Sequence, residues 1–371
     1  MIIYFTGSLP KNGKTPFGGG EVGNVRTIRM LQSIGHKVIT VRRLRSESKE
    51  TKAKRLFAYP IRSLINASHW FFILLFGTRK NSVVHISGFY GCTIYIETIQ
   101  TLIAKLLGYK IIYELRGGGA QKFYIEGNSF YRKQFLFIIK CSDYLFSQGL
   151  ENEPFLKSLC NTPIFYYPNC VLQGFYPKEI VKKPQDMINI VYFGRIEKQK
   201  NPMLVIDVTY HLQKRYDNVT LTMIGDGQED LVEIVRTQMN KKLQPNSYTI
   251  LPGCQHEELR KLLPDKHFYI FPSEQPREGQ SNAITEAMSF GIIPIASPQG
   301  FNRSTIGDDY LIIDELNVDS YASRISNIID NKEINKYSQF VRNRFLDNFT
   351  EKKVFERLRV EYNSIEKTIC H

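Results

Sequence analysis

The feature that most constrains this chain is an alternation that runs, breaks and starts again. Ile2–Thr6, Lys37–Val41, Val83–Ile86, Lys110–Tyr113, Tyr144–Ser147 and Ile164–Tyr167 are short runs rich in β-branched residues. Between them, segments such as Gly23–Ile34 and Ile94–Leu107 repeat apolar residues at helical spacing. Strands alternating with helices predict a parallel sheet covered by helices. The pattern lapses over residues 168–185, which contain Pro168, Gly174, Pro177 and Pro184 and read as a linker. It then resumes with Ile188–Phe193, Thr220–Ile224, Thr249–Leu251, His267–Phe271, Ile293–Ala296 and Leu311–Ile313 as strands. The expected class is α/β, with two Rossmann-like doubly wound domains facing a cleft. Ligands in such sheets sit beyond the carboxyl ends of the strands. The expected domains are residues 1–176 and 177–345, followed by a helix over 346–371. Val354, Leu358 and Tyr362 fall on one face of that helix, which is expected to pack back on the first domain.

A length of 371 residues suits two such domains, each large enough to bury a core. The six cysteines are scattered without a Cys-x-x-Cys pair, which argues against a zinc site or disulfide framework and fits a reducing cytosol. The amino terminus lacks a basic region followed by an apolar run, so it reads as a strand rather than a signal peptide. Leu64 to Phe76 is the longest apolar stretch, interrupted at Asn66, Ser68 and His69, and it is too short to cross a bilayer.

The net charge of +13 is unevenly placed: residues 1–176 carry 23 Lys+Arg against 9 Asp+Glu. Nucleic acid, an anionic membrane or a phosphorylated substrate would each suit such a half. No helix-turn-helix, finger or aromatic RNA-binding signature accompanies the charge, so nucleic acid is the weakest of the three. A dinucleotide dehydrogenase is a weaker reading still, because no Gly-x-Gly-x-x-Gly follows the first strand.

Ser273 to Gly291 holds the first chemical constellation. A strand ending at Phe271 runs into a polar loop, and a helix is predicted to open near Ser281 or Asn282. Unpaired N–H groups and the positive end of a dipole make such a start an anion site suited to a diphosphate. Glu278 precedes the helix and Glu286 lies within it, so the two carboxylates can accept hydrogen bonds from hydroxyls at different points of one elongated ligand. Ala287 and Met288 are expected in the core, and Gly291 ends the helix.

Gly194-Arg195 and Lys200 form the second. They place two cations near the carboxyl end of a strand, where they would neutralise a diphosphate leaving group. A weaker third element, Gly225-Asp226-Gly227, is a tight turn after a strand.

Taken in order, these residues resemble glycosyltransferase family 4, retaining enzymes of the GT-B fold. Gly18-Gly19-Gly20-Glu21 with Leu31 and Gly35-His36-Lys37-Val38 is similar to that family's opening glycine loop and first helix. Tyr167-Pro168-Asn169 resembles its Pro-Asn-Gly, with Cys170 in place of the glycine. Phe193-Gly194-Arg195 with Lys200, Gly225-Asp226-Gly227, Gly253 with Glu258-Leu259, and Glu278 to Gly291 follow in the family's order. The last resembles its Glu-x7-Glu signature.

The resemblance implies roles. Arg195 and Lys200 would hold the donor diphosphate, Glu278 would face the transferred sugar and Glu286 the ribose. Backbone N–H groups of Gln280, Ser281 and Asn282 would contact sugar and phosphate, with Gly225 nearby. Gly19 and Gly20 would approach the donor from the first, acceptor-side domain. It also implies transfer with retention and no metal or other cofactor. Arg116 stands where many relatives carry a His, and either binds a phosphate of donor or acceptor or satisfies Glu114. His85 is expected to be structural.

The acceptor is expected to be a saccharide on a lipid diphosphate such as undecaprenyl diphosphate. Arg42, Arg43, Arg45, Lys49, Lys52, Lys54, Arg55 and Arg62 precede the aromatic-rich segment from Trp70 to Phe76, and Arg79 and Lys80 follow it. Such a segment suits either a core helix or a helix lying in the interface of an anionic membrane. The expectation is a UDP- or GDP-sugar transferase at the cytoplasmic face of the plasma membrane, building surface polysaccharide such as O-antigen or capsule. The alternative from another class is a nucleotide-sugar epimerase of the same architecture.

Overall fold

A computed structural model of the protein describes residues 1–11, 18–44 and 51–370, which divide into two compact units. The first comprises Met1–Pro168 and the chain from Phe355 on; the second is Asn169–Val354.

The first unit runs β1 (Ile2–Gly7), α1 (Gly18–Ser33), β2 (Lys37–Arg42), α2 (Lys52–Leu75), β3 (Ser82–Gly88), α3 (Ile94–Leu106), β4 (Lys110–Leu115), α4 (Ala120–Glu126), α5 (Ser129–Cys141), β5 (Tyr144–Ser147), α6 (Asn152–Leu159) and β6 (Ile164–Tyr166). Its six strands are all parallel, in the order β2-β1-β3-β4-β5-β6. Every residue of β3 is buried, as a central strand covered on both faces requires. The glycine run does not form a loop: Gly18, Gly19 and Gly20 lie in the first turn of α1. Glu21, also in that turn, places a carboxylate at the positive end of the helix dipole.

The second unit contains β7 (Ile188–Phe193), α7 (Pro202–Gln213), β8 (Val219–Ile224), α8 (Glu229–Lys242), β9 (Tyr248–Leu251), α9 (His256–Leu262), β10 (Phe268–Phe271), α10 (Asn282–Ser289), β11 (Ile293–Ala296), α11 (Asn302–Ile306), α12 (Val318–Asp330) and α13 (Ile334–Asn348). Its five strands are parallel in the order β11-β10-β7-β8-β9. Two sequence-based expectations change here. Leu311–Ile313 is not a strand, because the Asp308 carboxylate accepts the Tyr310 N–H at 2.9 Å and winds Asp309–Leu311 into a 3₁₀ turn. Only an isolated bridge, Ala296 to Ile312, joins it to the sheet. The unit also begins before the expected linker ends, since Val171 and Phe175 are buried in the second core.

Helix α14 (Glu351–Cys370) starts in the second unit and from Phe355 belongs to the first. Leu358, Tyr362 and Ile365 are fully buried. The Tyr362 hydroxyl is hydrogen-bonded to His85 Nδ1, and the amino-terminal ammonium pairs with Glu366 at 2.9 Å.

Candidate active site

In the second sheet the chain leaves β7 for β8 and β9, then crosses to β10 and β11 on the other side. The reversal falls between β7 and β10. Their carboxyl ends therefore form the topological switch point, where an open α/β sheet parts its loops to admit a ligand. The loop after β7 carries Arg195 and Lys200; the loop after β10 carries Ser273 and Glu278.

Asn201 stitches these loops together. It adopts a left-handed conformation with φ 50°, and its side-chain amide donates to Pro272 O at 3.1 Å and Glu274 Oε2 at 2.7 Å. A backbone bond from Glu274 N to Gln199 O at 2.8 Å closes the seam. The consequence is an ion pair between Lys200 Nζ and Glu278 Oε2, two residues 78 positions apart. Both side chains are largely buried, at 11% and 12% exposed. Lys200 Nζ also sits 4.8 Å from the centre of the Phe271 ring. Ser273 Oγ donates to the same Glu278 oxygen at 3.1 Å, and Ser297 Oγ donates to Ser273 O at 2.6 Å. A β-carbon at Gly300 would stand 2.6 Å from both Glu278 O and Gly279 O, so the loop backbone holds that glycine in place.

Helix α10 begins four residues after Glu278. Its N-cap, Ser281, makes no side-chain capping bond, so no side chain of the cap meets the first-turn N–H groups. Gln280 and Asn282 use their side chains on Asn169 instead. Gln280 Oε1 accepts Asn169 N at 2.6 Å, Gln280 Nε2 donates to Asn169 O at 3.2 Å, and Asn169 Nδ2 donates to Asn282 Oδ1 at 3.0 Å. The Asn169 of the junction motif thus fixes the approach to the helix start.

Glu286, in α10, pairs with His256 Nε2 at 3.2 Å. That hydrogen bond raises the His256 pKa above its ordinary value, against the opposing effect of burial. A His whose folded pKa is raised stabilises the fold below its unfolded pKa of about 6.5, and loses that contribution as pH rises through the folded value. An NMR titration should therefore find His256 titrating above about 6.5 in the native protein, and lower in Glu286→Gln. Identical titration in both would remove the pair.

The other expected site residues each have partners or neighbours of their own. Arg195 pairs with a carboxylate of its own: its guanidinium meets Glu197 at 2.6 Å, and its side chain is 72% exposed. Gly225 has a backbone reason to be glycine, since a β-carbon there would lie 1.8 Å from Gly194 O. In the first unit, a β-carbon at Gly20 would stand 2.9 Å from the Phe89 ring, whereas at Gly19 it would meet no atom within 4 Å.

Of the two roles open to Arg116, the structure shows the pairing with Glu114, at 2.7 Å, with the guanidinium only 4% exposed. Burial pushes the Glu114 carboxyl up, but Arg116 and His85 outweigh it and hold the pKa below the ordinary value. His85 is fully buried, with Nε2 3.0 Å from Glu114 Oε2, a structural placement.

Residues 177–345 match the family of glycosyl transferases group 1. The matched stretch lies within the second unit. Over 179 residues the chain is 26% identical to one subunit of the phosphatidylinositol N-acetylglucosaminyltransferase of Arabidopsis thaliana, covering 48% of this chain and 39% of that protein. Over 245 residues it is 24% identical to UDP-Gal:alpha-D-GlcNAc-diphosphoundecaprenol alpha-1,3-galactosyltransferase of Escherichia coli, covering 61% of this chain and 62% of that one. The matches thus span less than two thirds of either relative.

Among solved structures, a glycosyltransferase from Rickettsia africae superposes with a TM-score of 0.70 at 16% identity, over 99% of this chain and 98% of that chain. HepE of Anabaena in complex with UDP gives 0.68 at 12% identity, over 98% and 99%. These likenesses establish the fold as GT-B.

Several residues of the candidate site had no signal of their own in the sequence. Ser273, Asn169 as a partner of α10, and His256 enter only through tertiary contacts. Asn201 is different: an Asn before Pro202 is a recognisable helix start, with proline in the first turn.

Proposed function

We propose that the protein transfers a sugar, with retention, from a nucleotide-diphosphate sugar to a lipid-linked saccharide. The observation that carries this is the Lys200–Glu278 pair at the β7/β10 switch point, a few residues before the α10 start. An ammonium has three donors, so Lys200 can keep Glu278 and still donate to a β-phosphate oxygen. The α10 dipole adds positive potential for the same group. Together they supply the charge stabilisation the departing nucleoside diphosphate needs, which supports a reaction without a metal. Glu278 then accepts hydrogen bonds from hydroxyls of the transferred sugar.

In the step itself the bond from the anomeric carbon to the β-phosphate oxygen breaks, and the electron pair leaves with the diphosphate. The acceptor oxygen bonds to the same carbon from the same face, and its proton passes to the departing phosphate. Arg195 joins the diphosphate by releasing Glu197. The Escherichia coli relative, named for a UDP-sugar donor and an undecaprenyl-diphosphate-linked acceptor, supports a UDP donor and a lipid-linked acceptor. Surface-polysaccharide assembly at the cytoplasmic face belongs to the same proposal. A GDP-sugar remains the other donor class. Among the described residues no helix is long and apolar enough to cross a membrane. The family match and the names of both relatives favour transfer over the epimerase alternative.

The test is an assay of UDP- and GDP-sugars with polyprenyl-diphosphate saccharides as acceptors, with the product's anomeric configuration read by NMR. Transfer with retention by the native protein, and a loss of about a hundredfold in Glu278→Gln, is expected. Sugar rearrangement without acceptor, or undiminished transfer by Glu278→Gln, would contradict the proposal.

A further inference from the structure

Helix α2 is apolar on two opposite faces, and the first unit uses only one. On the inner face Trp70 and Leu74 are fully buried. Trp70 Nε1 donates to Gln100 O at 3.0 Å, and Asn66 exchanges two hydrogen bonds with the Leu44 backbone. Turning about 100° per residue, Phe57, Ile61, Leu64, Ile65 and Phe72 share the opposite side within an arc of about 100°. Their exposures are 79%, 63%, 68%, 49% and 54%, and Phe76, just past the helix, is 82% exposed. From Phe57 to Leu75 this side is about 27 Å long. Neighbouring α3, to which Trp70 is bonded, adds Leu102 and Leu106 at 42% and 76%. Large side chains exposed singly need no explanation; a row of them along five turns of one side, parted at Ser68, does.

The surrounding charge indicates what meets this face. Between Phe57 and Phe76 the only charged residue is Arg62. Basic residues stand at both ends, Lys52, Lys54 and Arg55 before and Arg79 and Lys80 after, and no Asp or Glu occurs between Glu50 and Glu97. Arg79 and Lys80 are exposed. Of the longer basic run, Arg45 and Lys49 lie outside the described residues, and Arg43 is drawn inward to Glu97 at 2.8 Å. A second copy of the chain seated on this face by a twofold axis would bring basic ends of like sign together. An anionic bilayer would take both features at once, the row into the acyl boundary and the flanking cations onto headgroups.

We infer that α2 lies flat in the surface of an anionic lipid bilayer, with Phe57, Ile61, Leu64, Ile65, Phe72 and Phe76 inserted. This names the surface that meets the acceptor's lipid and so rests on the proposed function for its meaning, but its test needs neither donor nor acceptor. The full chain is floated on a density gradient with phosphatidylcholine vesicles containing about 30% phosphatidylglycerol, and with phosphatidylcholine alone. Flotation is expected with the anionic vesicles and at least tenfold less with the neutral ones. The triple variant Leu64→Ser/Phe72→Ser/Phe76→Ser should lose at least tenfold at low and high salt with an unchanged melting temperature. Arg79→Glu/Lys80→Glu should lose binding chiefly at low salt, where charge is least screened. No flotation of the native chain, or flotation of the triple variant equal to it, would overturn the inference. So would a native dimer that the triple variant dissociates without any vesicle binding. Transfer to a water-soluble acceptor reports on the enzymatic proposal separately and is expected to be unaffected by the triple variant.

Discussion

Lys200→Met is expected to lower sugar transfer by about 100- to 1000-fold, the usual cost of removing one donor that stabilises a leaving group in an enclosed site. Methionine keeps an unbranched stem against Phe271 and removes only the ammonium, which now pairs with Glu278 and lies 4.8 Å from that ring. The substitution leaves Glu278 largely buried with Ser273 as its remaining partner, so the fold should lose about 1–3 kcal/mol as well. The double variant Lys200→Met/Glu278→Gln separates the two effects. A neutral amide beside Ser273 no longer needs a counter-charge, so most of the stability should return while transfer stays low. Thermal denaturation and a steady-state transfer assay on the three proteins check this. Restored transfer in the double variant would mean that Lys200 serves only to neutralise Glu278.

Gly225→Ala is expected to act in the opposite way, on stability rather than chemistry. Its β-carbon would stand 1.8 Å from Gly194 O, a backbone atom at the end of β7 that no rotamer change can move. Gly194 is itself tied by its N–H to Ile224 O at 3.0 Å, and Gly225 by its N–H to Leu251 O at 3.0 Å. The ends of three adjacent strands must therefore shift together. Overpacking of this kind costs about 3 kcal/mol or more. For a domain of this size that lowers the melting temperature by about 6–12 °C. Donor affinity per folded molecule should change little. An unchanged melting temperature with weakened donor binding would return Gly225 to the role in donor binding that the family resemblance implied.

The strands were legible because most are short apolar runs buried on both faces, a composition that few other local structures share. Ile188–Phe193 and Tyr144–Ser147 stand where the sequence places them. Leu311–Ile313 has the same apolar character, but one hydrogen bond from the Asp308 carboxylate decides the local backbone, and no periodicity reports such a bond. The family resemblance implied a loop at the glycines 18–20, yet a helix tolerates glycine in its first turn, where fewer of its bonds are at stake.

The candidate site was legible in its parts and not in its assembly. Lys200 and Glu278 are 78 residues apart, and the strand crossing that brings them together is a property of the whole sheet. Arg195 looked equivalent to Lys200 by spacing. It stands closer to the strand end with Glu197 beside it, and that local pairing turns it outward. For Arg116 the sequence left two partners open, and the structure shows its guanidinium paired with Glu114.

The most direct test of a nucleotide-sugar site at the β7/β10 switch point is calorimetric titration of UDP and GDP into the native protein and Lys200→Met. One of the two nucleotides is expected to bind the native protein, and at least tenfold more weakly the variant, whose diphosphate contact is gone. Equal affinity for both proteins, or no binding of either nucleotide to the native one, would contradict it.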